Sequence, residues 1–388
     1  MAIVENLQIY GVLGDHIPYN TLEQMHKALS IPSAKRGILL PDAHYGYSVP
    51  IGSVVLTDNT VVPAYIGYDI SCMMMLSILC LSIEDFYKYK EDLTNDLVHV
   101  TRFGIGAHFE QSHDHEVMND PLWDSIDVLK PLKNLAYTQL GSSGAGNHFA
   151  DLVVGNYLID GYKDKDKQFV ALMTHSGSRG VGHKMAGYYM KKADEVVDGQ
   201  GIQKGYGWLD LDTDLGKEYW AIMTLMGDYA FANHKIIHQT FLRRAFIQTA
   251  ITHTNKHNFA WKEQDGIIHR KGATPAWKGD YGIIPGSSGT ASYLTLGVGN
   301  HEALNSSSHG AGRPFSRSEA KSKHDINAYT EHMSDIVTIG VNTDETYQAY
   351  KDIDEIINLQ TPDIIIPIAK MQPKVVLMGG KGRGQQFE

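Results

Sequence analysis

Ser308-His309-Gly310-Ala311-Gly312-Arg313 sets one imidazole in a turn of small residues, with Asn305-Ser306-Ser307 before it and Ser316-Arg317-Ser318 after it. A loop this poor in bulky side chains can bring backbone N–H groups against an anion, and Arg313 adds a fixed charge suited to phosphate. In that setting His309 is a candidate covalent nucleophile. Taken alone, a histidine in a glycine turn is more often a plain turn residue, so the assignment depends on what accompanies it. Asp69, Cys72, His148, His175 and His257 form a candidate metal-ligand set of carboxylate, thiolate and imidazole, a mixture that suits manganese, iron, cobalt or zinc. The spacing of Asp69 and Cys72 can put both on one side of a turn, and a thiolate at Cys72 can bridge two ions. The competing reading makes Cys72 a buried apolar thiol and the histidines satisfied core or turn residues.

Strands and turns must place these groups. Thr21 to Leu29 reads as a short helix; Gly37-Ile38-Leu39-Leu40 reads as a buried strand stopping at Pro41-Asp42-Ala43-His44, which puts Asp42 and His44 in a turn before the strand Ser53 to Leu56. Val61 to Leu81 is apolar but interrupted by Gly67, Asp69 and Cys72. Gly141-Ser142-Ser143-Gly144-Ala145-Gly146-Asn147-His148 leads into a strand from Phe149 to Val154, and a strand from Val170 to Thr174 ends at His175-Ser176-Gly177-Ser178-Arg179-Gly180. Trp220 to Ile251 contains no proline and predicts one long buried helix or two consecutive ones, with His253 and His257 at its end. Ile267 to Lys271 and Tyr281 to Pro285 predict short strands, Ser318 to His332 a helix, and Lys374 to Met378 a strand before a frayed tail from Gly379 to Glu388. Without an internal repeat or linker, residues 1–388 are expected to form a single α+β domain with a layered β-sheet core.

The totals exclude some classes. At 388 residues and 43% apolar content the chain can bury a sizeable core. A net charge of −10 argues against a generally basic nucleic-acid coat but leaves room for a local basic cleft. Cys72 and Cys80 are too few for a disulfide framework, which fits a reducing compartment. No run approaches membrane-spanning length and the start lacks a basic region followed by an apolar one, so a cytoplasmic protein with no membrane partner is expected.

These motifs together resemble the RtcB family of RNA ligases along most of the chain. The resemblance is carried, in order, by Pro41-Asp42-Ala43-His44-Tyr45-Gly46 with Pro50-Ile51-Gly52, Gly67-Tyr68-Asp69-Ile70-Ser71-Cys72, Gly144-Ala145-Gly146-Asn147-His148-Phe149, His175-Ser176-Gly177-Ser178-Arg179-Gly180, His257-Asn258, His269-Arg270-Lys271-Gly272-Ala273, Pro285-Gly286-Ser287 and His309-Gly310-Ala311-Gly312-Arg313. It implies a ligase dependent on GTP and on two manganese ions, joining an RNA 3′-phosphate or 2′,3′-cyclic phosphate end to a 5′-hydroxyl end, with an archease-type activator as a candidate partner. His309 matches the guanylylated histidine, and Asp69, Cys72, His148, His175 and His257 match the metal ligands. Asn147, His148, Phe149, Ala150, Asp151, His257, Asn258, Pro285, Gly286, Ser287, Ser288, Ser292 and His309 to Gly312 would line the guanylate, with Tyr350 against the base. Asp42 would sit near the reacting RNA end, and Arg179, Arg270, Lys271 and Arg313 would take RNA phosphates.

The chain departs from the family pattern in three places. Asp151 stands where glutamate is usual, Ser288 replaces a common methionine, and Met378-Gly379-Gly380 occupies the usual lysine-glycine end, with Lys381 following two residues late. Relaxed base preference and a divergent branch serving RNA repair rather than tRNA splicing are the corresponding expectations. The alternatives from other classes are a metal-dependent phosphoesterase acting on cyclic phosphates without a covalent nucleotide, and a non-catalytic RNA-binding protein.

Overall fold

The computed structural model describes residues 6–159 and 167–380, an α+β arrangement built on two large sheets. In the larger, seven strands run in the order Tyr281–Ile284, Ser292–Gly297, Ile365–Met378, Phe149–Tyr157, Gln168–Ser176, Met73–Leu79 and Thr249–Lys256, all antiparallel, with Val337–Ile339 added parallel to Ile365–Met378. The second sheet has five strands in the order Leu7–Ile9, Ala34–His44, Ile51–Thr57, Gly266–Lys271 and Asn258–Glu263. A ribbon of Ala273–Pro275 with Ser306–Ser308 lies beside it.

The helices Ile83–Lys88, Lys90–Val100 and Asp214–Arg244 cover the back of the larger sheet. Asp214–Arg244 opens on Thr213, whose hydroxyl accepts the Gly216 N–H at 3.1 Å, one of the amides a helix start leaves unpaired. It buries His234 and His238 one turn apart. Thr174 Oγ1 lies 2.6 Å from His234 Nδ1 and 2.8 Å from His238 Nε2, and Ser77 Oγ lies 2.8 Å from His238 Nδ1. Burial pushes the His234 imidazole down to about 4. The neutral rings thus pin the helix to Gln168–Ser176, the strand that carries His175, and to Met73–Leu79. Arg179–Val196 packs alongside, burying Val181, Met185 and Tyr189 with Tyr219 and Tyr229 of the longer helix.

Several expected elements shift. The strand from Ala34 does not stop at Pro41 but runs through His44, with its register against Ile51–Thr57 broken between Leu39 and His44, so Asp42 lies in a strand rather than a turn. The long helix ends at Arg244. Phe246 adopts φ +55, and the β-branched Thr249, Ile251, Thr252 and Thr254 continue as a strand, so His253 lies in that strand and His257 just beyond it. The helix expected from Ser318 to His332 is two, Arg317–Lys323 and Ile326–His332, each with its own side-chain cap at Ser316 and Asp325. The last strand is longer than expected, and of the tail only Gly379 and Gly380 lie within the described residues; Lys381 lies outside them. Among the described residues no helix is long and apolar enough to cross a membrane.

Candidate active site

The chain crosses between sheets at His257, the single residue between Thr249–Lys256 of the larger sheet and Asn258–Glu263 of the smaller. It crosses again at Gly272, into the ribbon whose outgoing strand ends at Ser308. Candidate ligands and candidate nucleophile are therefore delivered to one seam, where a cavity of 390 Å³ opens.

Four of the five candidate ligands arrive at strand ends. Asp69 and Cys72 belong to the turn before Met73–Leu79, in which the Cys72 N–H donates to the Asp69 carbonyl at 3.2 Å and Ser71 takes φ +58. That turn puts carboxylate and thiol on one side, as the spacing suggested. His148 precedes Phe149–Tyr157 and His175 is the last residue but one of Gln168–Ser176. Cys72 Sγ lies 3.0 Å from His175 Nε2 and 3.3 Å from His148 Nε2; His148 Nε2 lies 2.9 Å from Asp69 Oδ2, and His175 Nε2 lies 3.1 Å from His257 Nε2. Two groupings result, Cys72 with His175 and His257, and Asp69 with Cys72 and His148, sharing the cysteine.

The donor chemistry fits a pair of divalent cations. His175 Nδ1 donates to the Asn147 carbonyl at 3.1 Å, which fixes the tautomer and leaves the Nε2 lone pair facing inward. Burial, reinforced by neighbouring imidazoles, holds His175 and His257 well below the usual histidine range, so both are neutral donors. Burial would raise Asp69, but the bond and charge of His148 outweigh it and keep the carboxylate ionised. The Cys72 thiol is pushed far up by burial and the Asp69 charge, so a bound cation would have to draw off its proton. Gly177 and Gly144 leave room for the site: a Cβ would lie 2.2 Å from Asp69 Oδ1 at the first and 2.1 Å from His148 Nδ1 at the second.

His309 stands beside the cluster, its ring centroid 5.0 Å from that of His257. Its Nδ1 is 2.8 Å from Asp42 Oδ2, which also accepts the His309 backbone N–H at 3.3 Å. Asp42 is fully enclosed. Burial acts to raise its carboxyl, yet the His309 bond and the Lys351 charge prevail and its pKa falls below the ordinary value. An ionised acceptor at Nδ1 requires the proton there and leaves Nε2 with the free lone pair. Gly312, at φ +73, passes so close to the Asp42 strand that a Cβ would meet its carbonyl oxygen at 2.2 Å.

The remaining expected residues divide. Asn147, Phe149, Asp151, Asn258, Pro285, Gly286, Ser287, Ser288, Ser292, Gly310, Ala311 and Tyr350 line the cavity with His257, His309 and Gly312, whereas Ala150, on the other face of its strand, packs in the core with Leu152 and Val170. Asp151 is buried with Oδ1 unpartnered, and burial drives its carboxyl well above the usual range. Lys271 lines the cavity, its ammonium donating to the Ile66 carbonyl at 3.0 Å. Arg179 stands outside it, donating to Ser142 Oγ at 3.0 Å.

Arg270 corrects an expectation: it is wholly buried between Trp261 and Trp277, bonded to Glu263, Ser306 and the carbonyls of Leu304 and Asn305, and has no access to a phosphate. Arg313 reaches the cavity but is already held by Glu345 at 2.5 Å, the Asp344 carbonyl and the Tyr350 hydroxyl. Sequence reasoning missed Glu345, which also binds Arg317 and Tyr350, and Lys351, whose ammonium donates to the carbonyls of Pro41 and Ala43 on either side of Asp42. No local pattern marks either one, since their partners lie up to 310 residues away.

Two sheets thus meet at a Cys/His/Asp cluster that could hold metal ions, beside a histidine oriented by a buried carboxylate. The family model described as tRNA-splicing ligase RtcB matches residues 24–127 and 124–379, and the chain belongs to that family. It is similar to the tRNA-splicing ligase RtcB of Methanococcus maripaludis, 27% identical across 98% of this chain and 95% of the relative. It is also similar to the tRNA-splicing ligase RtcB of Nanoarchaeum equitans (28% identical, 92% and 91% covered) and the RNA-splicing ligase RtcB of Escherichia coli K12 (28%, 88% and 89%).

Proposed function

We propose that this chain is an RNA ligase that joins a 3′-phosphate end, or a 2′,3′-cyclic phosphate end after its hydrolysis, to a 5′-hydroxyl end through a nucleotide carried on His309. The observation that carries the reading is His309, held by the buried Asp42, at the wall of a cavity that Asp69, Cys72, His175 and His257 also line. Asp42 holds the Nδ1 proton, so Nε2 is the attacking atom. It bonds to the α-phosphorus of GTP as the bond to the bridging oxygen breaks and pyrophosphate departs. The GMP group then passes to an oxygen of the RNA 3′-phosphate, freeing Nε2, and the 5′-hydroxyl oxygen displaces GMP to close the phosphodiester.

Manganese held by Asp69, Cys72, His148, His175 and His257 would neutralise charge developing on the phosphates. The chain's own contributions are the amides of Gly310 to Gly312, the Lys271 ammonium and the enclosed walls at Pro285 to Ser288, which orient the triphosphate and exclude water. Asp151 is the group suited to the base edge, and its shorter reach argues for relaxed preference between purines. An archease-type activator is a further partner consistent with the family.

Intact-mass measurement after incubation with manganese and each nucleoside triphosphate tests the proposal. A guanylate adduct in the native chain that disappears in His309→Ala is expected. If no nucleotide gives an adduct while a 2′,3′-cyclic phosphate is still hydrolysed, the site is a phosphoesterase and the ligase assignment fails.

A further inference from the structure

Four aromatic rings stand beside the cavity without entering the core. Tyr45 lines the cavity and is 59% exposed; Tyr47 is 65% exposed, and Tyr68, adjacent to Asp69 in sequence, is 37% exposed. Tyr47 meets the edge of Tyr68 with centroids 5.7 Å apart, and Tyr68 lies nearly parallel to His183 at 4.8 Å and 24°. His183 and its neighbour Lys184 are exposed on the helix Arg179–Val196.

The rings are held in place. Gln24, buried at the helix Tyr19–Ala28, spends its whole side-chain amide on the loop that carries two of them: Nε2 donates to the carbonyls of Gly46 and Tyr47 at 2.9 and 3.0 Å, and Oε1 accepts the Gly46 N–H at 2.9 Å. Tyr68 follows Gly67, whose φ of +90 lets the backbone pass over the Lys271 ammonium, where a Cβ would lie 2.0 Å from Nζ. Gly187 lies beside the ring, where a Cβ would make an ordinary contact with Tyr68 Cε1 at 3.7 Å. Gln24 thus fixes the backbone at Gly46 and Tyr47 while the Tyr45 and Tyr47 rings stay exposed.

Resting on the ligase assignment, we propose that Tyr45, Tyr47, Tyr68 and His183 form a stacking track for the bases of single-stranded RNA approaching the cavity. Tyr45 lines the cavity and Tyr68 is joined through the chain to the cavity-lining Asp69, so a strand whose end reacts inside can run along Tyr47, Tyr68 and His183. Any base can stack on such rings, because every base has a π-face, and this gives binding without sequence preference. The acidic chain then needs little of its affinity from phosphate contacts, and the enclosure of Arg270 and the pairing of Arg313 cease to be an obstacle.

A double-mutant cycle between ring and base tests the track. Fluorescence anisotropy would follow two short RNAs, one ending in a 3′-phosphate and one beginning with a 5′-hydroxyl, each with normal bases or with abasic nucleotides at the positions nearest the reacting end. Binding of the normal RNA should weaken roughly tenfold in Tyr47→Ala and in Tyr68→Ala and be retained in Tyr47→Phe and Tyr68→Phe. With the abasic version of the strand that occupies the track, the alanine substitutions should cost nothing further. Independent penalties for both RNAs, or normal binding by the alanine variants, overturn the proposal and leave the surface to another partner, such as a protein. The adduct on His309 is read in the same preparations: its absence from the native chain defeats the ligase assignment, whereas its presence with independent penalties defeats only the track.

Discussion

Asp42→Asn separates the charge of the carboxylate from its geometry. Oδ2 accepts both the ring Nδ1–H at 2.8 Å and the backbone N–H of His309 at 3.3 Å, while Oδ1 has no partner. An asparagine therefore keeps its oxygen toward His309 and turns its NH₂ into the Oδ1 position, so the Nδ1 tautomer survives and only the charge is lost. A hydrogen bond to a charged group is worth about 1.5–3 kcal/mol, against about 1 kcal/mol for a neutral one. The difference, about 0.5–2 kcal/mol, slows nucleotide transfer by roughly 2- to 30-fold. Asp42→Ala removes the acceptor altogether and leaves the tautomer unset, for a loss of roughly 1000-fold or more. Quenched time courses of adduct formation, read by intact mass at saturating GTP and manganese, give both rates. Thermal unfolding run in parallel accounts for the buried NH₂ that asparagine leaves unpaired. An asparagine variant as slow as the alanine one would refute the orientation argument, and an alanine variant with the native rate would remove Asp42 from the chemistry.

The shared cysteine makes a stoichiometric prediction: Cys72→Ala should lower bound manganese from two equivalents towards none, whereas His257→Ala should lower it to about one, counted by metal analysis after gel filtration. Asp151→Asn should raise the melting temperature by roughly 2 °C at neutral pH. The native carboxyl's folded pKa lies above its unfolded value, so its contribution is fully present below the unfolded pKa and is lost as pH rises; the gain in the variant should therefore grow from about pH 4 upward and vanish below it.

What the sequence revealed of this site, and what it concealed, follows from strand geometry and chain separation. Asp69, Cys72, His148 and His175 were legible as candidate ligands because each sits near the junction of an apolar run with small or polar residues, whereas His257 was expected at the end of a helix and stands instead between two strands. Successive residues of a strand face opposite ways, however, and a motif match does not say which face is which. Lys271 faces the cavity while Arg270, one residue earlier, is clamped between tryptophans; Asp151 faces it while Ala150 fills the core. Alternation applied to Gly266–Lys271 could have separated the two basic residues, given one of them as an anchor. Glu345 and Lys351 offered no such handle. Lys351 fixes the carbonyls flanking Asp42 and, through its own N–H to Gly312 at 3.0 Å, the loop of His309 as well, so one residue ties the candidate nucleophile and the carboxylate bonded to it together. That tie joins three segments distant in sequence, and only the folded chain brings it into view.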